Sequence, residues 1–393
     1  VMIRNAVIVD AVRTASGKGK PGGALSGVHP ADLLGTTIAA LVERTGIDPG
    51  LIDDVIAGCV SQVGDQALNI ARTAALGAGL PIHVPGTTVD RQCGSSQQAA
   101  HFAAQGVMAG AYDIVIAGGV ESMSRIPMYS NTGGGDPLAP LARRFPSLPP
   151  QGIGAELIAS RWGLTRNDLD EFSARSHTHA ARAAESGAFD GEIIPVTVAD
   201  GSLHTRDETV RPATTVEGLA ALSPAFKSPE YWERYPEIAW SITAGNASPL
   251  TDGASAMLIM SEERALQLGM RARARFHAFA VRGSDPEIML TGPIDATRHI
   301  LERTGMKIED FDAYEVNEAF APVPLAWAAE LGADSQRLNP RGGAIALGHP
   351  LGASGTRILT TMLNYLEDTG GRFGLQAVCE AGGIANVTII ERI

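Results

Sequence analysis

Short stretches of this chain occur twice at matching intervals, and that repetition limits the folds open to it. Glu43-Arg44-Thr45-Gly46-Ile47 returns as Glu302-Arg303-Thr304-Gly305-Met306, and Ile52-Asp53-Asp54-Val55 is echoed by Ile308-Glu309-Asp310-Phe311. Cys93 lies 41 positions after Ile52, and His349 lies 41 after Ile308. The segments Asp113 to Val120 and Leu375 to Ile384 both read as an apolar strand ending in small residues. Two copies of one unit bury their matching faces by packing together, here about a pseudo-twofold axis. A thiol and an imidazole at equivalent points of the two copies are then expected to converge on one site.

The neighbours of Cys93 sharpen this. Gly86 to Val89 is short and β-favouring, whereas Ser95 to Met108 places Ala100, Ala103, Ala104, Val107 and Met108 at helical spacing. Cys93 is therefore expected on a strand-to-helix turn. Unpaired N–H groups and the positive dipole end at a helix start lower a thiol's pKa, so Cys93 is read as a reactive thiolate. Cys379 is read the same way, and His349 sits between them in Gly348-His349-Pro350-Leu351-Gly352-Ala353-Ser354-Gly355. Such a trio suits transfer of an acyl group and a proton, since an imidazole titrates near neutrality. A buried, inert thiol is the ordinary state of free cysteine, and Cys59 keeps that reading.

With 393 residues and 45% apolar content, the chain can bury more than one core. Its net charge of -12 argues against nucleic acid and against general attraction of an anionic substrate. Phosphate contacts must then be local, through Arg or Lys of the connecting region. No apolar run reaches membrane-spanning length, and the start has no basic segment leading into a long apolar stretch, so neither membrane insertion nor secretion is expected. Three cysteines without pattern fit a reducing cytoplasm, and no Cys-x-x-Cys or histidine cluster suggests a metal.

Residues 1–122 alternate strands and helices, and the alternation returns near residue 250 and runs to the end. This indicates layered α/β architecture with a largely parallel sheet. Between these parts, Asn131 to Pro150 is crowded with Gly and Pro and reads as loop. A helical stretch is expected from about residue 153 to 186, turning at Gly163. The expected division is an N-terminal unit over 1–122, completed by about 252–272, an insertion over 123–251 covering the site, and a second unit over 273–393.

From Val7-Ile8-Val9-Asp10-Ala11-Val12-Arg13-Thr14 to the last strand before Arg392, the chain resembles the thiolases, which are acyl-CoA:acetyl-CoA C-acyltransferases. The resemblance rests on a combination of motifs: Cys93-Gly94-Ser95-Ser96, Asn246-Ala247-Ser248, Asn317-Glu318-Ala319-Phe320-Ala321, Gly342 to Pro350, and Cys379. It implies a five-layered αβαβα fold made of two βαβαβαββ repeats, with an inserted loop domain that binds CoA. It also implies thiolysis of a 3-ketoacyl-CoA to acetyl-CoA and a shortened acyl-CoA, or the reverse Claisen condensation. The coenzyme A thioester is then substrate, and no other cofactor is implied.

By the same resemblance, Cys93 holds the acyl group, His349 takes the Cys93 proton, and Cys379 exchanges the proton at the substrate α-carbon. One oxyanion hole would use His349 and a water held by Asn317, the other the backbone N–H groups of Cys93 and Ala381. The family's last motif usually reads Cys-x-Gly-Gly-Gly, and this chain has Ala381 where the first of those glycines belongs. Alanine is expected to be tolerated there, provided that its φ is negative. Ser248 is placed near the pantetheine arm and Met289 and Phe320 around the acyl group, although a core or capping role fits these three equally well. Glu318 is expected to fix backbone geometry.

Short-chain members of the family usually carry His-Met-Gly where this chain reads Pro149-Pro150-Gln151-Gly152-Ile153-Gly154, which leaves longer, branched or cyclic acyl chains open. A cytoplasmic homodimer or homotetramer is implied, with acyl-CoA and CoA as partners. Two alternatives stand beside this reading. A ketoacyl synthase type of condensing enzyme normally lacks the second cysteine, so Cys379 argues against it. A thiolase-like protein that binds acyl-CoA or sterol without catalysis is opposed by the joint retention of Cys93, Asn317, His349 and Cys379.

Overall fold

In the computed structural model, which describes residues 4–393, the main strands fall into two sets. The first comprises β1 (Ala6–Thr14), β2 (Asp54–Gly58), β3 (Thr87–Val89), β4 (Ile114–Ser122) and β5 (Thr251–Ser261). The second comprises β6 (Ala274–Gly283), β7 (Ala313–Val316), β8 (Phe373–Glu380) and β9 (Ile384–Arg392). Their spatial orders are β3-β2-β4-β5-β1 and β7-β8-β9-β6. Beside β7, Leu338 makes a parallel bridge to Tyr314, in the place that β3 holds in the first set. Strand sense is duplicated too. In each set the pairs at the β3 or Leu338 end are parallel, and those toward β1 or β6 are antiparallel. The sets join edge to edge where Val7 pairs with Arg275 and Ile8 with Ala274.

The expected largely parallel sheet is thus corrected to a mixed one. Glu380 pairs with Ile384, so only Ala381, Gly382 and Gly383 link β8 to β9, and so short a link can only return the chain antiparallel. Gly382 (φ 88) and Gly383 (φ 74) take the left-handed conformations that the turn requires.

The longer helices are α1 (Pro30–Thr45), α2 (Ile70–Gly77), α3 (Ser95–Ala109), α4 (Gln151–Arg161), α5 (Arg166–Glu185), α6 (Gly292–Thr304), α7 (Pro322–Leu331) and α8 (Ser354–Thr369). Both copies of the repeated Arg-Thr-Gly motif end a helix, with Gly46 (φ 66) closing α1 and Gly305 (φ 70) closing α6. Helices α1 and α2 cover one face of the first set through Leu34, Ile38 and Ala74. Helices α3 and α8 lie between the two sets, where Ala100, Ala103 and Ala104 pack with Leu359 and Leu363. Helices α6 and α7 cover the far face of the second set through Ile300 and Trp327. The small alanine face of α3 is what lets two helices share one middle layer, which gives the αβαβα stack.

Between Ser122 and Thr251 the chain leaves the first set at the point where the second set has only its tight turn. Residues 131–150 hold no strand or α-helix. The expected helical stretch does turn at Gly163 and forms two helices, α4 and α5, the second opened by a capping box between Thr165 and Asp168 worth about 1 kcal/mol. The segment is anchored back to β1. Arg13, fully buried, donates from Nε to Glu192 at 2.7 Å and from Nη1 to Asp207 at 2.8 Å. Removing Arg13 would leave two buried carboxylates without their cation, at a cost of about 3–5 kcal/mol. Ile193–Ile194 also pairs in parallel with the end of β1. Among the described residues, no helix is long and apolar enough to cross a membrane.

Candidate active site

Helices α3 and α8 begin at the same place. A side chain at Gly355 would overlap the backbone nitrogen of Gln97, and one at Gly58 would meet Ser96 N and Gly352 O. Only glycine permits so close an approach of backbones. Thr356 N–H then donates to Ser96 Oγ at 2.9 Å. Glu121, buried near the end of β4, accepts from the N–H groups of Val60 (2.9 Å), Ser61 (3.1 Å) and Gly352 (2.9 Å) and from Gln66 Nε2 (2.8 Å). One carboxylate thereby ties the first repeat to the loop that carries His349.

Cys93 lies on the turn between β3 and α3, where the sequence places it. Ser95 fixes that turn, accepting from Arg91 N–H at 2.9 Å and donating to Gln92 O at 2.6 Å. The Cys93 side chain belongs to a buried apolar cluster with Val60, Met123, Leu351, Ile358 and Val378. Leu351 is two residues beyond His349 and Val378 immediately precedes Cys379, so this cluster joins the three reactive segments. Cys379 is the last residue but one of β8, paired with Ala385.

Both sulfurs rest as thiols. Burial, then the neighbouring Cys379 and Glu380, push the Cys93 thiol well above its ordinary value. Burial and Glu380 push Cys379 up to about 12. The expectation of a ready thiolate is corrected accordingly: desolvation outweighs the favourable helix start.

His349 precedes α8 by five residues, in the loop after the one-turn helix Ala344–Leu347. Its Nδ1 lies 2.6 Å from Ser354 Oγ, and Ser354 Oγ donates to Pro350 O at 2.9 Å. The hydroxyl's one hydrogen is spent on Pro350, so Ser354 accepts from Nδ1–H. The hydrogen-bond network thus assigns a free lone pair to Nε2. Asn317, immediately after β7, points Nδ2 at that Nε2 from 3.4 Å, and its buried Oδ1 has no protein partner. Burial, with Arg357 adding, lowers the imidazole to about 3. The near-neutral titration expected for His349 is therefore also corrected. A neutral Nε2 still accepts a thiol proton once the sulfur's charge is taken up by an acyl carbon.

The remaining expected residues are distributed around this centre. In the β8–β9 turn only Gly382 and Gly383 have positive φ, so Ala381 carries no left-handed strain, as its tolerance requires. Ser248 N–H donates to Ala319 O at 2.9 Å, and Ala247 bridges Phe320, which sets Ser248 and Phe320 side by side. Phe320 meets Phe226 edge-on, with ring centroids 5.9 Å apart, and Met289 packs against the same core. Glu318 accepts from Ser176 Oγ (2.6 Å), Asn339 Nδ2 (2.9 Å) and Ile345 N–H (3.1 Å), which is the backbone-fixing role expected of it. Cys59 is buried in the outer core of the first repeat.

Sequence reasoning passed over Ser354, Phe226 and a cleft beside Ser248 lined by Lys18, Arg211, Gly245, Ala247 and Pro249. Lys18, from the first repeat, and Arg211, from the connecting region, are brought to one cleft only by folding. Among the described residues, no group of three His, Cys, Asp or Glu is placed to hold a metal ion.

Residues 6–263 match the thiolase N-terminal domain and residues 270–392 the thiolase C-terminal domain. The steroid 3-ketoacyl-CoA thiolase FadA6 of Mycobacterium tuberculosis is 48% identical over 402 residues, covering 100% of this chain and 95% of that protein. The 3-ketoacyl-CoA thiolase of Vibrio vulnificus is 42% identical over 398 residues, covering 99% of this chain and 100% of that protein. The crystal structure of the Bacillus anthracis acetyl-CoA acetyltransferase is similar with a TM-score of 0.89 and 38% identity, covering 100% of this chain and 99% of that one. Because these matches run through both repeats and the segment between them, the chain belongs to the thiolase family and is an acyltransferase that uses acyl-CoA.

Proposed function

We propose that this thiolase cleaves 3-ketoacyl-CoA thioesters whose acyl part is larger than that of acetoacetyl-CoA, whether longer, branched or cyclic. The observation that carries this reading is the apolar wall of Phe226, Phe320 and Met289, next to Ser248 and packed on an α4 that opens Gln151-Gly152-Ile153-Gly154. A wall of this kind gains from apolar area in the substrate, about 25 cal/mol per Å² removed from water. The names of the relatives from Mycobacterium and Vibrio support it. CoA enters along the cleft beside Ser248, where Lys18 and Arg211 supply positive charge.

In the proposed cycle, the Cys93 sulfur attacks the 3-keto carbon as its proton passes to His349 Nε2. The resulting alkoxide collapses, the bond between the α-carbon and the former keto carbon breaks, and the acyl group stays on Cys93 as a thioester. The enolate of acetyl-CoA takes its proton from Cys379. Incoming CoA gives its thiol proton to the Cys379 thiolate and attacks the Cys93 thioester, and His349 returns its proton to Cys93. Negative charge develops on two substrate oxygens along this route, that of the transferred acyl group and that of the acetyl-CoA enolate. Asn317 and His349 serve one, and the N–H groups of Cys93 and Ala381 the other. No cofactor beyond the CoA thioester has a step in this scheme. The protein is proposed to work in the cytoplasm as a homodimer or homotetramer.

The test is a panel of 3-ketoacyl-CoA substrates of increasing bulk, assayed with free CoA by loss of the 3-ketoacyl absorbance. kcat/KM rising from acetoacetyl-CoA to the larger members supports the reading. Acetoacetyl-CoA as the best substrate overturns it.

A further inference from the structure

One buried acid stands beside both sulfurs without a part in the cycle above. Glu380, the last residue of β8, is 0% exposed, and neither of its carboxyl oxygens has a hydrogen-bond partner. It is held by shape. Any Cβ at Gly94 would overlap Glu380 Oε1, so the carboxyl lies flat against the Gly94 backbone, one residue from Cys93 in one direction and one residue from Cys379 in the other. No cation of the described residues lies within ion-pair distance of it.

The groups facing it are few. From its own strand comes Cys379, and from the turn ahead of α3 come Asp90, Arg91 and Cys93. Arg91 pulls on the carboxyl across a gap, and its own Nε is buried without a partner. From β9 the Asn386 backbone N–H faces the carboxyl and favours its charged form without closing a full hydrogen bond, while the Asn386 side chain turns its Nδ2 to Gln98 Oε1 at 3.3 Å. Taking an isolated carboxylate out of water costs several kcal/mol, so a carboxyl in this setting keeps its proton. Burial accordingly pushes Glu380 well above the carboxylate range, against the opposing pull of Arg91 and of the Asn386 backbone N–H.

We propose that Glu380 is a positioning residue that governs ionisation of both sulfurs: as an uncharged acid packed on Gly94 it lets Cys93 and Cys379 lose their protons in turn, and as a carboxylate it opposes both losses. The physical basis is simple. Each sulfur passes through an anionic state, and a like charge within a few ångströms in a desolvated site raises the cost of that state. A neighbouring acid that stays neutral removes the cost while filling the space beneath the Cys93 turn. The proposal rests on the catalytic roles proposed above, so its test has a readout that does not depend on turnover.

The experiment compares the wild-type protein with Glu380→Gln, which keeps size and removes the charge. The rate of iodoacetamide alkylation at Cys93 is followed by peptide mass spectrometry across the neutral to alkaline range. The variant is expected to alkylate about tenfold faster on the alkaline side, equivalent to a midpoint lower by about one pH unit. The alkaline limb of kcat/KM for thiolysis is expected to move by the same amount. Superposed alkylation profiles in a protein that turns over 3-ketoacyl-CoA would overturn the proposal. Should the glutamine variant melt far below wild type, Glu380→Met provides the same comparison. A wild-type protein that forms no acyl-Cys93 and cleaves no 3-ketoacyl-CoA would instead sink the catalytic reading, while the alkylation comparison keeps its meaning.

Discussion

Asn317 Nδ2 stands 3.4 Å from Nε2 of His349, while Ser354 Oγ holds the ring's other nitrogen at 2.6 Å. The imidazole is thereby gripped at both ends, with its basic nitrogen turned toward the side chain that the catalytic reading makes a water-holding donor. Replacing Asn317 by alanine should lower kcat by about 10²- to 10³-fold, the usual consequence of losing one oxyanion donor. Thermal stability should change little, because the amide makes no other side-chain hydrogen bond to the protein. Steady-state kinetics beside a melting curve checks both parts. Undiminished kcat would remove Asn317 from the reaction.

The two thiols should fail differently. Cys93→Ser should accumulate no acyl-enzyme, whereas Cys379→Ser should still trap an acyl group on Cys93 and then stall, with overall turnover lower by at least about 10²-fold in each case. Intact-protein mass spectrometry after mixing with a 3-ketoacyl-CoA gives the answer. Equal trapping by both variants would undo the division of labour.

Gly355→Ala tests the meeting of α3 and α8. The added methyl would overlap the Gln97 backbone nitrogen, which no rotamer change can relieve. A loss of about 1–3 kcal/mol is expected, measured by chemical denaturation. Activity should fall with it, since Cys93 and His349 sit just ahead of these two helix starts.

Acid should weaken the fold through three histidines. His101, His177 and His349 are lowered to about 3, about 4 and about 3, each chiefly by burial. Unfolded histidines take up protons near pH 6.5, so below that value the unfolded state binds more protons than the native one. Their contribution to stability is complete above about pH 6.5 and is lost as the pH falls toward the folded values, by up to about 1.4 kcal/mol per pH unit for each. Denaturation midpoints from about pH 7.5 to about pH 5 should fall accordingly, and less steeply in His101→Gln. A flat midpoint would contradict the burial argument.

In the β8–β9 turn, alanine and glycine should be tolerated at different positions. Ala381→Gly should leave kcat unchanged and reduce stability by less than about 1 kcal/mol, through unfolded-chain entropy. Gly382→Ala forces a methyl into a φ of 88 and should cost more. The reverse ranking in a denaturation series would mean that the departure from the family's glycine is strained after all.

Much of the scaffold was legible before folding. The repeated Arg-Thr-Gly motifs mark equivalent helix ends because a left-handed cap demands glycine wherever it occurs. The Cys93 turn, the helix after it and the long non-strand segment after Ser122 follow from local spacing and turn chemistry. The mixed strand sense was missed because periodicity reports that a strand exists and says nothing of its direction. Lys18 and Arg211 carry no pattern, and neither does Glu380 beside Gly94.

The sequence by itself determined the duplication, the family motifs and the candidates for the reactive side chains, since these are matters of residue type and local spacing. Only the tertiary structure decided their protonation. Ionisation depends on how completely water is excluded and on which charges lie nearby, and both are set by segments far apart in the chain. The helix start that should have ionised Cys93 lies in a desolvated pocket beside another sulfur and an unpaired acid. There the loss of hydration outweighs a helix dipole, which is worth at most about 2 kcal/mol.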